Sequence, residues 1–266
     1  NLRSKLGHYS GAMFYYEGEW YWGVDRLYHL EARLKSLGAD KSPDQPPLYP
    51  RPSNTVSGDA SALTLEYYPS LRSPYTAVSW EPTMKLARES GINLEIKPVL
   101  PMVMRGVPAT RQKGMYIFKD AAREARAQGI IYGKFYDPIG DPVLKGYALY
   151  AWAKTTGKGN DLLGSFLNAA FAEGINTNSY HGLRHIVEKA GLDWQEARNH
   201  LNDTEWQSEL EQNRLSMYGF GSWGVPSYQL LDANGESVLA VWGQDRLWLV
   251  ARKIEDLMSN NAEHQL

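Results

Sequence analysis

The sequence predicts a mixed α/β domain in which a β-α-β segment and a β-β-α segment share one sheet, with an all-helical stretch inserted between them. Three observations predict it. Leu63–Tyr68 and Asn93–Val99 alternate like strands on either side of a helical run, Pro74–Glu89. A succession of helical patterns then fills residues 113–219. Finally Ser227–Val241 reads as a hairpin turning at Asn234-Gly235, followed by a helical pattern at Leu247–Leu257. The 266 residues, 43% hydrophobic and 22% charged, suit one sizeable core.

The first element is a repeat. Residues 22–28 read W-G-V-D-R-L-Y and residues 242–248 read W-G-Q-D-R-L-W. An alternating stretch precedes each (Met13–Trp22 around Glu17-Gly18 in the first) and a helical pattern follows each, Leu27–Leu37 in the first. The unit is a hairpin leading into a helix, and its return after one domain's length marks residues 1–38 as the C-terminal hairpin–helix remnant of an upstream copy. That remnant is expected to pack on upstream material or on a neighbouring chain, as in a homodimer. Residues 39–60 carry five prolines and read as a semi-rigid linker.

The main domain occupies residues 61–258, with its helical insertion at about 113–219 and a tail at 259–266. Its first strand is Leu63–Tyr68. Ser73-Pro74 opens the next helix as a favoured N-cap and first-turn pair, and Pro82 should kink it. Strand Asn93–Val99 and a loop, LPMVMRGVPATRQ, lead to a helix near Lys113–Gln128. Helical patterns follow near Val143–Thr155, Asp161–Glu173, Tyr180–Ala190, Trp194–Leu201 and Glu205–Tyr218, before Gly-Ser-Trp-Gly-Val-Pro and the terminal hairpin. A strand–helix–strand start needs a right-handed crossover, and the terminal hairpin can extend the same sheet.

Composition narrows the chemistry. A net charge of −2 gives no electrostatic footprint for nucleic acid. There is no cysteine, so no disulfide, dithiol redox couple or thiolate metal site can form. No apolar run approaches the ~20 residues of a membrane span. His181 and His185 share a helical face but lack the third ligand and H-E-x-x-H pattern of zinc, so no metal is expected. Ser73 admits two readings. It caps a helix and does no more, or its hydroxyl, beside the positive end of that helix, donates to a bound thiolate and lowers the thiol's pKa.

Several segments in register carry a resemblance. LEYYPSLRSPYTAV, KPVLPMVMRG, EGINTNSYHGLRHIVEKAGLDW, WGVPS and WGQDRLW together span residues 63–257. They resemble the 2-hydroxychromene-2-carboxylate isomerases and kappa-class glutathione transferases, a DsbA-like branch of the thioredoxin superfamily. The resemblance implies a thioredoxin-like fold and glutathione as cofactor. It implies a glutathione-dependent isomerase or transferase acting on an unsaturated, acidic small molecule. Ser73 would stand where redox relatives keep their first cysteine and would contact the glutathione sulfur as the catalytic residue; Thr76 falls at the second cysteine's place. Val225 and Pro226 match the cis-proline loop, whose exposed backbone pairs with the cysteinyl unit. Trp242, Gly243, Gln244 and Asp245 match the helix start that holds the γ-glutamyl end. Asp25 holds the same place as Asp245 in the first repeat, which leaves a purely fold-building role open. Arg105, Thr110, Arg111 and Lys113 lie where the family holds an acidic substrate, although solvated surface charge is the plainer reading of each. A cytoplasmic location is the expectation. Two rival readings stay open: a transferase or peroxidase that consumes glutathione, and a non-catalytic thioredoxin-fold binding module or DsbA-family protein without redox activity.

Overall fold

Two units make up the chain, Asn1–Ser53 with Thr110–Tyr116, and Asn54–Ala109 with Ile117–Leu266. The computed structural model describes residues 2–8 and 10–263.

The first unit starts with a single helical turn, α1 (Leu2–Lys5), and a hairpin, β1 (Met13–Tyr16) and β2 (Glu19–Trp22). Glu17 and Gly18 both take positive φ, at 44° and 86°, as a two-residue hairpin turn demands. The hairpin is a separate two-stranded sheet. A 3-10 turn, Val24–Arg26, leads to α2 (Leu27–Ser36). His8 packs its ring on Trp20 and on Tyr116, with centroids 4.7 and 4.8 Å apart. The proline-rich stretch is not strung out as a spacer at its start. The Glu31 carboxylate on α2 accepts from the Leu48 and Tyr49 amides at 2.6 and 2.8 Å, and Arg51 lies over the Tyr28 ring.

In the second unit β3 (Thr64–Tyr68), α3 (Pro74–Ser90) and β4 (Asn93–Ile96) form the β-α-β start, with β3 and β4 parallel. The helical insertion comprises α4 (Arg111–Ala127, of which residues 117–127 belong to this unit), α5 (Asp141–Thr155), α6 (Gly159–Asn168), α7 (Tyr180–Lys189), α8 (Trp194–Ala197) and α9 (Trp206–Gly219). The chain returns with β5 (Ser227–Leu231), β6 (Ser237–Trp242) and α10 (Leu247–Glu263), giving the sheet order β4-β3-β5-β6. The expected β-α-β, helical insertion and β-β-α order is therefore present. No described helix is long and apolar enough to cross a membrane.

Alternation on β3 explains how the layers stack. Leu65 and Tyr67 are buried on one face, and in the antiparallel register Tyr67 lies opposite Tyr228 of β5. The two phenol rings stack at 5.1 Å and 10°. Their hydroxyls reach α3: Tyr67 to Ser79 at 2.8 Å and Tyr228 to Thr83 at 3.2 Å. Ser79 and Thr83 are one helical turn apart, so two hydroxyl contacts fix α3 to the sheet. On the other face Tyr68 donates to Glu66 at 2.6 Å and meets Ser216 of α9 at 2.9 Å, while Lys97 pairs with Glu66.

Several boundaries differ from the sequence expectations. β4 stops at Ile96, after which Lys97 and Val99 donate to the Tyr67 and Pro69 carbonyls as the chain leaves the ladder. Residues 169–173 form a π-helical turn rather than the end of one α-helix, and α8 passes into a 3-10 turn, Arg198–His200. α10 continues to Glu263, so most of the expected tail is helical; residues 264–266 lie outside the described residues. α3 is one helix from Pro74 to Ser90 with Pro82 inside it.

Candidate functional site

The turn between β3 and α3 is held at one residue after another. Ser73 has extended backbone and caps α3, its Oγ accepting from the Thr76 amide at 3.1 Å, with Pro74 in the first helical turn. Thr76 is buried, and its Oγ1 accepts from the Ser70 amide at 3.2 Å. The Leu71 amide donates to the Tyr147 hydroxyl at 3.2 Å, and that hydroxyl donates to the Val99 carbonyl at 2.8 Å. Burial pushes the Tyr147 phenol up to about 12, so it stays a donor across the neutral range. Arg72 forks onto Asp137, Nε and Nη2 each 2.7 Å from a carboxylate oxygen. Ser73 therefore spends one acceptor site on its helix and keeps its own proton to give, at the positive end of a 17-residue helix.

The second part of the site is the loop before β5. The Val225–Pro226 bond is cis. Gly224 is required by contact: a Cβ there would lie 2.4 Å from the Trp242 indole. Ser227 Oγ donates to the Gly224 carbonyl at 2.8 Å, and the Gly243 amide donates to the Pro226 carbonyl at 2.9 Å. Val225 itself makes no backbone hydrogen bond among the described residues. Ser227 lies opposite Tyr68, the last residue of β3, so the loop and the Ser73 turn leave the same end of the sheet.

At the start of α10, a 3-10 turn covers Gln244–Arg246. Gln244 is 6% exposed, and its Nε2 is buried with no hydrogen-bond partner. An orphaned amide donor is costly unless something else accepts from it. Asp245 stands 3.5 Å from Arg246. Trp242 meets Trp223 with ring centroids 4.7 Å apart, each indole 42% exposed.

The expected site residues thus fall into two groups. Ser73, Val225, Pro226, Trp242, Gly243, Gln244 and Asp245 are all in the second unit. Thr110, Arg111 and Lys113 belong to the first unit, where Thr110 Oγ1 caps a helix start by accepting from the Lys113 amide at 3.2 Å. Arg105 is in the second unit, but its fork is engaged by the protein. Nε donates to the Leu100 carbonyl at 2.8 Å, Nη1 to the Tyr218 hydroxyl at 2.9 Å and Nη2 to the Trp223 carbonyl at 3.2 Å. Burial is the largest influence on its pKa, which is lowered. His185 shares a hydrogen bond with Glu173 at 2.8 Å, and no metal-ligating group of side chains occurs among the described residues. Sequence reasoning missed Arg72, Asp137 and Tyr147. No local pattern marks the last two, whose partners lie 65 and 76 positions away.

Comparison with known proteins agrees with the fold. The family model described as a DSBA-like thioredoxin domain matches residues 64–255. Among solved structures, a 2-hydroxychromene-2-carboxylate isomerase, solved as selenomethionine protein, aligns with a TM-score of 0.63 and 18% identity, over 75% of this chain and 98% of that one. A probable DsbA oxidoreductase from Streptomyces coelicolor aligns at 0.57 and 18%, over 74% and 90%. The cytosolic disulfide reductase DsbM from Pseudomonas aeruginosa, in a structure with GSH, aligns at 0.54 and 15%, over 75% and 99%. At these identities the likeness concerns the fold. No curated protein sequence matches.

Proposed function

This chain belongs to the DsbA-like thioredoxin family, and on that premise we propose that it binds glutathione between the Ser73 turn and the Val225–Pro226 loop and serves as a glutathione-dependent isomerase or transferase. The observation that carries the reading is the Ser73 hydroxyl, whose acceptor side caps α3 while its proton remains to be donated. With no cysteine in the chain, the thiol must come from the ligand, which separates this reading from dithiol redox chemistry.

Three features suit glutathione. The Val225 backbone has no partner among the described residues and suits antiparallel pairing with a cysteinyl unit. The buried Gln244 amide lacks an acceptor, which a ligand's γ-glutamyl end supplies. The helix start beside Ser73 favours negative charge on sulfur. Glutathione would supply a thiol nucleophile that adds reversibly to an unsaturated carbon. The role of Ser73 is to stabilise the thiolate by donating to it, and it attacks nothing itself. For the acidic part of a substrate, Arg105 of the same unit is the proposed cation, contributing through its charge, since its hydrogen bonds are used within the protein.

The test is the ultraviolet absorbance of bound thiolate against pH, in wild type and Ser73→Ala. A hydrogen bond to a charged group contributes ~1.5–3 kcal/mol, so the bound thiol's pKa should rise by about one to two units. Identical titrations reduce Ser73 to a helix cap. Absence of glutathione binding at millimolar concentration moves the chain to the binding-module reading. Recovery of glutathione after turnover distinguishes an isomerase from a transferase that forms a conjugate.

A further inference from the structure

The Ser73 turn is tied to the helical insertion by a connection that the proposed chemistry does not itself use. α6 ends in a π-helical turn, Ala169–Glu173, closed by Gly174 in left-handed conformation. The amides of Gly174 and Ile175 both go to the Ala169 carbonyl. The next two carbonyls are thereby released from helical pairing. Ala170 accepts instead from the Tyr136 amide at 2.8 Å, and Phe171 from the Gly133 amide at 2.8 Å. The segment 133–136 is thus stitched to the π-helical turn through its backbone. A Cβ on Gly174 would lie 3.3–3.5 Å from Lys134 and Phe135, so the two stretches lie in close contact.

The residue after this stitched segment is Asp137. Its carboxylate receives the Arg72 fork and also accepts from the Ile139 amide at 3.2 Å, which fixes its rotamer. Arg72 directly precedes Ser73. We infer that Arg72 and Asp137 are positioning residues, a latch that sets the Ser73 turn, with the π-helical turn as its anchor. A planar guanidinium held by two oxygens fixes orientation as well as distance. A π-helical turn is the device that frees carbonyls for such stitching without ending the helix early. The inference rests on the proposed role of Ser73 for its link to chemistry, but the latch itself is a property of the protein alone.

The test therefore has two readouts. The first is native-state amide hydrogen exchange without ligand, in Arg72→Gln, Asp137→Asn and the exchanged pair Arg72→Asp with Asp137→Arg. The amides of Leu71, Ser73 and Thr76 should exchange about three to ten times faster in each single variant, with α7 unchanged. The exchanged pair should recover most of the protection. Wild-type rates at the turn, or equal acceleration everywhere, overturn the latch. The second readout is the bound-thiolate titration with glutathione, where both single variants should move the pKa in the direction of Ser73→Ala. If glutathione binds and all variants titrate like wild type, the latch does not serve the site and the inference fails. If wild type binds no glutathione, the proposed function fails, and the exchange rates still decide the latch.

Discussion

The two hairpin–helix segments, 13–36 and 227–263, are built alike and used differently. Both pair in the same register from the residue before the glycine, Met13 with Trp22 and Ser227 with Trp242. In both, the glycine amide closes onto the residue preceding the hairpin: Gly23 onto Ala12 at 3.1 Å, Gly243 onto Pro226 at 2.9 Å. In both, the arginine Nη1 donates to the carbonyl of the aspartate before it, at 3.1 and 3.2 Å, within a 3-10 turn that starts the helix. The shared W-G-x-D-R-L motif therefore encodes a closure of hairpin onto helix. What the two segments do not share is the candidate site. Ala12, at φ 52°, stands where Pro226 follows a cis bond, and only β5 gains β3 as a neighbour. The Asp245 carbonyl takes part in this closure as the Asp25 carbonyl does.

The largest expected difference is at Phe14 and Tyr228, which hold equivalent places in the two registers. Tyr228 is fully buried, whereas Phe14 is 42% exposed. Tyr228→Ala should cost about 3–5 kcal/mol and Phe14→Ala under about 1 kcal/mol in chemical denaturation. Equal costs would mean that the first hairpin is as deeply packed as the second. Next in size is the response to alkali. Tyr147 and Tyr228 are both raised to about 12 by burial, which disfavours the phenolate in the folded state. Each contributes stability that is whole below the unfolded value near 10 and is lost as pH rises toward 12. Stability should fall across that window by about 2–3 kcal/mol per phenol, and Tyr147→Phe should flatten the fall. A denaturation midpoint independent of pH there contradicts the assigned cause.

A smaller contrast separates the two motif glycines. A Cβ on Gly243, at φ 118°, would lie 2.5 Å from Asp245 Oδ1, whereas on Gly23, at φ 57°, the nearest atom is Ala12 O at 3.7 Å. Gly243→Ala should therefore destabilise by about 2 kcal/mol and Gly23→Ala by about 1 kcal/mol. The reverse order would show that the two closures are not built alike. The smallest effect is at Ser73, which has no counterpart in the first segment. Ser73→Ala should cost about 1 kcal/mol as a lost cap, while Ser73→Asn keeps a capping oxygen and should cost less. Thermal unfolding of the two variants separates the cap from any effect on a bound thiol.

The regular elements were legible because their causes are local. Alternation set β3, Ser73-Pro74 set the start of α3, and Asn234-Gly235 set the last hairpin. The π-helical turn was not legible, because Ala170 and Phe171 give up helical partners only when Tyr136 and Gly133 are present to replace them. Arg105 shows the same limit within the site. A cation in a polar loop reads as available, yet its partners at Tyr218 and Trp223 are more than a hundred residues away. Of the site itself, the cap at Ser73 was legible in the Ser-Pro pair and the cis bond matches what the resemblance implies, while the Arg72–Asp137 pair came only from the fold.

The Trp223–Trp242 pair gives the molecule an optical signature of its own. Two indoles with centroids 4.7 Å apart and planes inclined at 51° have coupled excited states, and coupled chromophores of fixed handedness produce a paired band in circular dichroism. One member precedes Gly224 and the other ends β6, so the band reports whether the loop is seated on the closing strand. The cis-proline end of the sheet can thus be watched by light alone, without a label.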